Sequence, residues 1–206
     1  MPEREEPVRT PPRFLLAAVA TCAAHAAEAQ EARFTDLVGP TCRFERDASH
    51  IGDFKRCRGH GGVRPETLAE ETRTHFAFRF GPSRSQPLIS AWSFGTKIEW
   101  RGRASTGGFQ PHSAVVRVLL KDPESSNPTA DGQVLAIIRI APAEPRACVV
   151  AVLDASRRDA NAIARKTADR LAPSFRCGLD RAIVIGPGTR WTAAVLDAGS
   201  RTKGGT

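Results

Sequence analysis

The chain has 206 residues, with Lys and Arg 30 against Asp and Glu 22, a formal charge of +8 at pH 7, 41% hydrophobic residues and 6% aromatics. This is the length of one domain with tails, and so apolar a composition excludes wholesale disorder. No apolar run reaches the roughly eighteen residues of a membrane-spanning helix.

Arg4, Arg9 and Arg13 precede an apolar stretch over residues 14–24, and small residues follow it. That order predicts a signal peptide over residues 1–29, cleaved near Ala29 at the second of two A-x-A sites, Ala24-His25-Ala26 and Ala27-Glu28-Ala29. Glu3, Glu5 and Glu6 offset the arginines, so the leader's positive end rests on the terminal amine. Cys22 follows Thr21, where a lipidated cysteine calls for a smaller neighbour. Cleavage removes three Arg and four Glu, which raises the formal charge from +8 to +9. The mature protein is expected to be periplasmic or secreted and not membrane-spanning, with a single α+β domain over residues 30–188.

Next along the chain, Cys42, His50, Cys57 and His60 offer two thiolates and two imidazoles, a set that zinc accepts. The two cysteines lack a close knuckle spacing and an oxidising compartment favours a crosslink, so no metal is expected. Phe76, Phe78 and Phe80 alternate with Ala77 and Arg79 over residues 73–80, the pattern of a half-buried strand, and residues 81–87 form a loop. Residues 96–101 alternate again, with Ile98 and Trp100 inward and Lys97, Glu99 and Arg101 outward. Residues 114–121, 133–141 and 147–153 are rich in Val, Ile and Leu on both faces, as in central strands covered from both sides. Short turns join them, which suits antiparallel hairpins.

One helix is expected over residues 157–172, capped by Ser156 and stopped by Pro173. Ala160, Ile163, Ala164, Thr167 and Leu171 share its buried stripe, while Arg165 and Asp169 stand at the spacing of a weak surface pair. A last strand is expected at 182–185. Residues 189–206 read as a flexible C-terminal tail, in which Trp191, Val195 and Leu196 could dock as a short helix. The expected fold is therefore α+β: an antiparallel meander sheet of about six strands with one C-terminal helix packed on a face.

Four cysteines remain after cleavage, Cys42, Cys57, Cys148 and Cys177, which predicts two disulfides with three possible connectivities. Nearest-neighbour pairing is the expectation. Its two loops would disfavour the unfolded state by about 3 and 3.5 kcal/mol.

No catalytic constellation stands out. There is no G-x-S-x-G elbow to supply a nucleophile for His60-Gly61-Gly62 as an oxyanion loop, and a tight glycine turn is the simpler reading. Glu70, Glu71 and Glu99 form no recognisable acid pair. No phosphate-cradle or dinucleotide fingerprint is present, so no cofactor is expected. The positive charge is scattered arginine without a nucleic-acid motif, which points away from nucleic acid and toward a cell-envelope protein or an anionic envelope surface as partner. Trp92, Phe94 and Trp100 lie close enough along the chain to line a shallow ligand groove, although a packed core is the commoner fate of such residues.

Several segments occur in a telling order: Cys57-Arg58-Gly59-His60-Gly61-Gly62, Phe80-Gly81, Gly95-Thr96-Lys97-Ile98-Glu99-Trp100-Arg101, Gly132-Gln133-Val134-Leu135, the stretch from Asp154 to Asn161, and the stretch from Leu171 to Gly178. Together they resemble a family of small exported Gram-negative bacterial proteins without an assigned activity, over most of the chain from Cys42 to Gly178. The resemblance implies periplasmic residence and structural half-cystine roles for Cys57 and Cys177, and it lends no catalytic residues. The function expected is that of a non-enzymatic periplasmic binding or interaction module. The alternative is a hydrolase-like enzyme using His60 or His75 in a pocket assembled by the fold.

Overall fold

A computed structural model describes residues 30–46 and 53–201; the expected signal peptide, His50 and residues 202–206 lie outside the described residues. The core is built on β8 (Ser93–Ser105), β9 (Gly108–Leu120), β10 (Gly132–Ala141) and β11 (Arg146–Asp154), an antiparallel meander of consecutive neighbours. β1 (Gln30–Asp36) adds antiparallel at the β8 edge, and β12 (Ile183–Val184) adds parallel at the β11 edge. The expected single sheet is in fact two. A second antiparallel sheet runs in the order β2 (Cys42–Arg46), β3 (Asp53–Cys57), β4 (Val63–Ala69), β5 (Thr74–Phe80) and β6 (Ser83–Arg84), with β7 (Ile89–Ala91) also paired to β5. Antiparallel neighbours in chain order, the expected meander, thus occur within each sheet.

The alternation along β10 shows why the layers stack as they do. Val134, Ala136, Ile138 and Ile140 enter the core between the sheets, where they meet Phe76, Phe78 and Phe80 of β5 and Ile98 and Trp100 of β8. Leu135 and Ile137 point the other way, beneath α1 (Ala160–Leu171). Each large apolar side chain so buried contributes about 1.5 to 3 kcal/mol by leaving water. On β11 the phase of this alternation changes: Ala147, Val149 and Val152 face the inter-sheet core, whereas Val150, Ala151 and Leu153 face the helix. The shift follows from a bulge opposite Ile137 and Ile138, which leaves Val150 without a register partner and so moves two successive residues to one side.

α1 packs closely because its buried stripe is made of small residues, Ala160, Ala164, Thr167 and Ala168, with Ala172 continuing it. Its cap position is Asp159, whose carboxylate makes no capping bond to the helix amides and instead accepts from Arg157, while Ser156 donates its amide to Asp154 Oδ1 in the preceding turn. Ile163 and Leu171, expected on the buried stripe, lie half-buried at its rim.

Within the tail expected from residue 189, Trp191, Val195 and Leu196 do dock as a helix, α2 (Arg190–Arg201), packed beside β7, β10 and β11. Thr189 and Thr192 start it reciprocally: the Thr189 amide donates to Thr192 Oγ1 at 2.9 Å, and the Thr192 amide donates to Thr189 Oγ1 at 3.3 Å. Val195 is fully buried, and the Trp191 indole lies so close to Gly132 that a Cβ there would collide with it.

Candidate functional site

The four cysteines pair as nearest neighbours, Cys42 with Cys57 and Cys148 with Cys177. The first bond joins register partners on β2 and β3, and the second ties β11 to the segment after α1. Both thiolates of the zinc set are therefore consumed. Among the described residues no cluster of three or more His, Cys, Asp or Glu could hold a metal ion.

The three aromatics of the expected groove do not converge on one surface. Trp100 is fully buried, donates its indole N–H to Thr35 Oγ1 at 2.9 Å and lies against Phe78. Phe94 is half-buried against Phe76. Trp92 sits at the one-residue corner where the chain leaves β7 for β8, 37% exposed and with the Lys121 ammonium over its ring. The two candidate imidazoles, His60 and His75, are similarly engaged. His60 packs edge-on against Trp100 and Phe109, with Nε2 at 3.4 Å from the Phe34 carbonyl oxygen. His75 Nε2 is 2.9 Å from Glu70 Oε2 at the end of the β4–β5 hairpin. That contact brings an imidazole to a carboxylate, yet neither histidine lines the cleft beside α2 or the cleft beside the Cys42–Cys57 bond.

The larger cleft has a volume of about 790 Å³ and is walled by four segments distant in sequence. They are the β6–β7 connection, the start of β11, the stretch of 175–182 after α1, and α2. Leu88, Ala147, Val149 and Val195 give it an apolar floor; Arg146, Arg181, Asp180 and Asp197 give it a charged rim. The wall after α1 is unusually well held for a segment without regular structure. Cys177 is bonded to Cys148, Arg139 donates to the carbonyl oxygens of Ala172 and Pro173 at 2.9 and 2.7 Å, and Arg146 donates to the Cys177 carbonyl oxygen at 3.3 Å. Asp180 accepts from the Arg176 guanidinium at 2.8 Å and from the Arg176 amide at 2.7 Å. These bonds, the side-chain one foremost, hold its carboxyl below the ordinary carboxylate range. Such prefixed walls keep a concave site open at low entropic cost to a ligand.

A smaller cleft, of about 580 Å³, lies beside the Cys42–Cys57 bond and is lined by Arg43, Arg56, Arg58 and Arg64. Near it, on the same sheet, Glu66 is 1% exposed and sits among Arg56, Arg84 and Arg79 at 2.6, 3.1 and 3.7 Å.

On the helix face of the main sheet, Arg165 and Asp169 do not pair with each other. Arg165 reaches Glu99 at 2.8 Å, and Asp169 accepts a two-pronged contact from Arg101 at 2.9 and 2.6 Å. The strand residues expected to face outward, Glu99 and Arg101, are covered by α1, so crossing to the sheet gives each helix charge a drier, better-formed partner than a neighbour one turn away. His112 lies 3.7 Å from Asp169, beyond hydrogen-bond range. Burial pushes its imidazole below the ordinary histidine value; Asp169 opposes this, while Arg103 and Arg101 reinforce it. The unfolded chain therefore takes up a proton near pH 6.5 that the folded domain resists, so the histidine's contribution is complete above that pH and declines as pH falls. The urea midpoint is expected to drop between pH 7.5 and about 5.5, and His112→Gln to flatten that slope. Asp131, Asp154, Asp159 and Asp180, all depressed, add a further loss only in the acid range below about pH 4.

No family model, curated protein or solved structure matches this chain. Fold and site define a mostly β, disulfide-crosslinked α+β domain with two clefts.

Proposed function

We propose that this chain is an exported, periplasmic binding or interaction domain that receives an amphipathic ligand in the larger cleft. The observation that carries the reading is the cleft itself: an apolar floor under a charged rim, with a wall pinned by a disulfide and by arginine contacts to backbone carbonyls. Ligand pockets commonly combine predominantly apolar walls with a few fixed polar groups in this way. The Arg181 guanidinium makes no ion pair with any described residue and stands at the rim, which suits a ligand with an apolar body and a carboxylate end. The two disulfides and the absence of a long apolar helix among the described residues accord with an oxidising location outside the cytosol. The order of segments from Cys42 to Gly178 that resembles exported Gram-negative proteins supports the same address.

Titration of isotope-labelled protein with decanoate and with an apolar tripeptide tests the proposal. Amide shifts are expected at Leu88, Val149 and Val195. Ala182→Trp, which fills the cleft from its wall, should abolish them, and Arg181→Gln should weaken binding by about tenfold through loss of a charge-assisted bond. Shifts scattered away from the cleft, or none with either probe, would overturn it.

A further inference from the structure

The smaller cleft presents charge that the fold does not neutralise. Its one acid, Glu45, is taken by Arg56, whose Nε also donates to Glu66. The guanidiniums of Arg43, Arg58 and Arg64 are left without an acidic partner among the described residues. Arg101, Arg165, Arg176 and Arg190 elsewhere each find a carboxylate, and Arg181 stands singly, whereas here three unpaired guanidiniums line one concavity.

The strand register sharpens the contrast. Arg43 stands directly opposite Arg56 on β2 and β3, and Arg64 directly opposite Arg79 on β4 and β5. Like charges opposite one another across a ladder destabilise it. Arg56 and Arg79 are compensated by Glu66, but Arg43 and Arg64 are not. The geometry is also preset. Arg43 follows Cys42 and Arg58 follows Cys57, so the disulfide that joins those cysteines holds the two arginine-bearing backbones together. The turn at Gly61 and Gly62, with φ of 57° and 77°, is closed by a 3.0 Å bond from the Val63 amide to the His60 carbonyl oxygen; nothing lies within 4 Å of where a Gly62 side chain would start, so this wall is open.

We infer that this cleft binds phosphate groups, independently of the larger cleft. A concave site of one charge sign concentrates counter-ions, and guanidinium forks match phosphate oxygens two at a time. Three such forks around about 580 Å³ suit a diphosphate or a pair of phosphomonoesters, carried either by a free molecule or by a lipid headgroup. The retained repulsion is the cost that bound phosphate relieves.

Calorimetry with pyrophosphate, and co-sedimentation with phosphatidic acid vesicles against phosphatidylcholine vesicles, test the inference on the full oxidised chain. Binding of pyrophosphate assigns a free ligand, and retention on phosphatidic acid alone assigns a headgroup. The double variant Arg43→Gln, Arg64→Gln should lose about tenfold or more in affinity, while Arg170→Gln on the exposed face of α1 leaves it unchanged. Without ligand the same double variant should unfold at an equal or higher urea midpoint than the parent, because it removes repulsion; an arginine pair that served only structure would lower it. No binding in either arm, or an equal loss in Arg170→Gln, would overturn the inference.

Discussion

Replacing Glu66 by Gln is expected to destabilise the domain by about 3 kcal/mol, read as a lower urea midpoint with an unchanged slope. Glu66 is 1% exposed on β4, with Arg56, Arg79 and Arg84 arriving from β3, β5 and β6. Its carboxylate is thus the hub that lets three cations share one face of the sheet, and two of them, Arg56 and Arg84, also cover the Phe54 ring. Glutamine keeps the shape and removes the charge, leaving the guanidiniums to repel one another. Uncompensated buried charge usually costs about 3 to 5 kcal/mol, and the lower end applies because each arginine side chain here retains about a fifth of its exposure to water. Arg79→Gln is the matched control. Its 3.7 Å contact is the longest of the three, so its loss should cost under about 1 kcal/mol. Equal effects of the two variants would show that Glu66 is not the hub.

The second large effect is expected from Cys148→Ala with Cys177→Ala. The bond closes a loop of 29 positions, and freeing it stabilises the unfolded chain by about 3.5 kcal/mol. The native structure should loosen locally as well. Arg139 still clamps the end of α1 through Ala172 and Pro173, so the loss is confined to the wall beyond it. Amide exchange should quicken at Leu179 and Asp180, whose N–H groups donate to the Arg176 carbonyl oxygen at 3.1 and 2.9 Å, and stay slow at Ala160 and Ala164. Uniform quickening across α1 would mean that the bond supports the whole helix layer rather than the cleft wall.

The strands β5 and β8 to β11 are legible in the sequence because their side chains alternate or are apolar on both faces, signals that depend on local spacing alone. β4 is not. It carries Pro65 and Glu66 where a strand should show neither, and Glu66 becomes tolerable only once three arginines from other strands converge on it. β2 and β3 mix charge with single phenylalanines, and Phe44, at 75% exposure, shows that the edge strand has almost no buried face to announce. α2 shows in the sequence only as the apolar positions Trp191, Val195 and Leu196 amid polar, glycine-rich residues, and the pairing of Thr189 with Thr192 that starts it is clear only in the fold. The cysteine pairing is the nearest-neighbour one expected, whereas the larger cleft is made by segments far apart in sequence that only the fold brings together, and the smaller one needs the alignment of neighbouring strands between residues 40 and 64. The like-charge register around the smaller cleft is likewise invisible until the strands are aligned.

The attachment of β1 to β8 sets an order of assembly. Thr35 and Trp100, which share a hydrogen bond, stand 65 positions apart. β1 has no partner until residues 97–103 of β8 follow it along the chain, so its place in the sheet is a long-range pairing that the intervening strands of the second sheet do not provide. Without β1 the outer rim of β8 is an unpaired edge and the Trp100 indole N–H loses its acceptor on Thr35, so this one strand both closes the sheet edge and satisfies a buried donor.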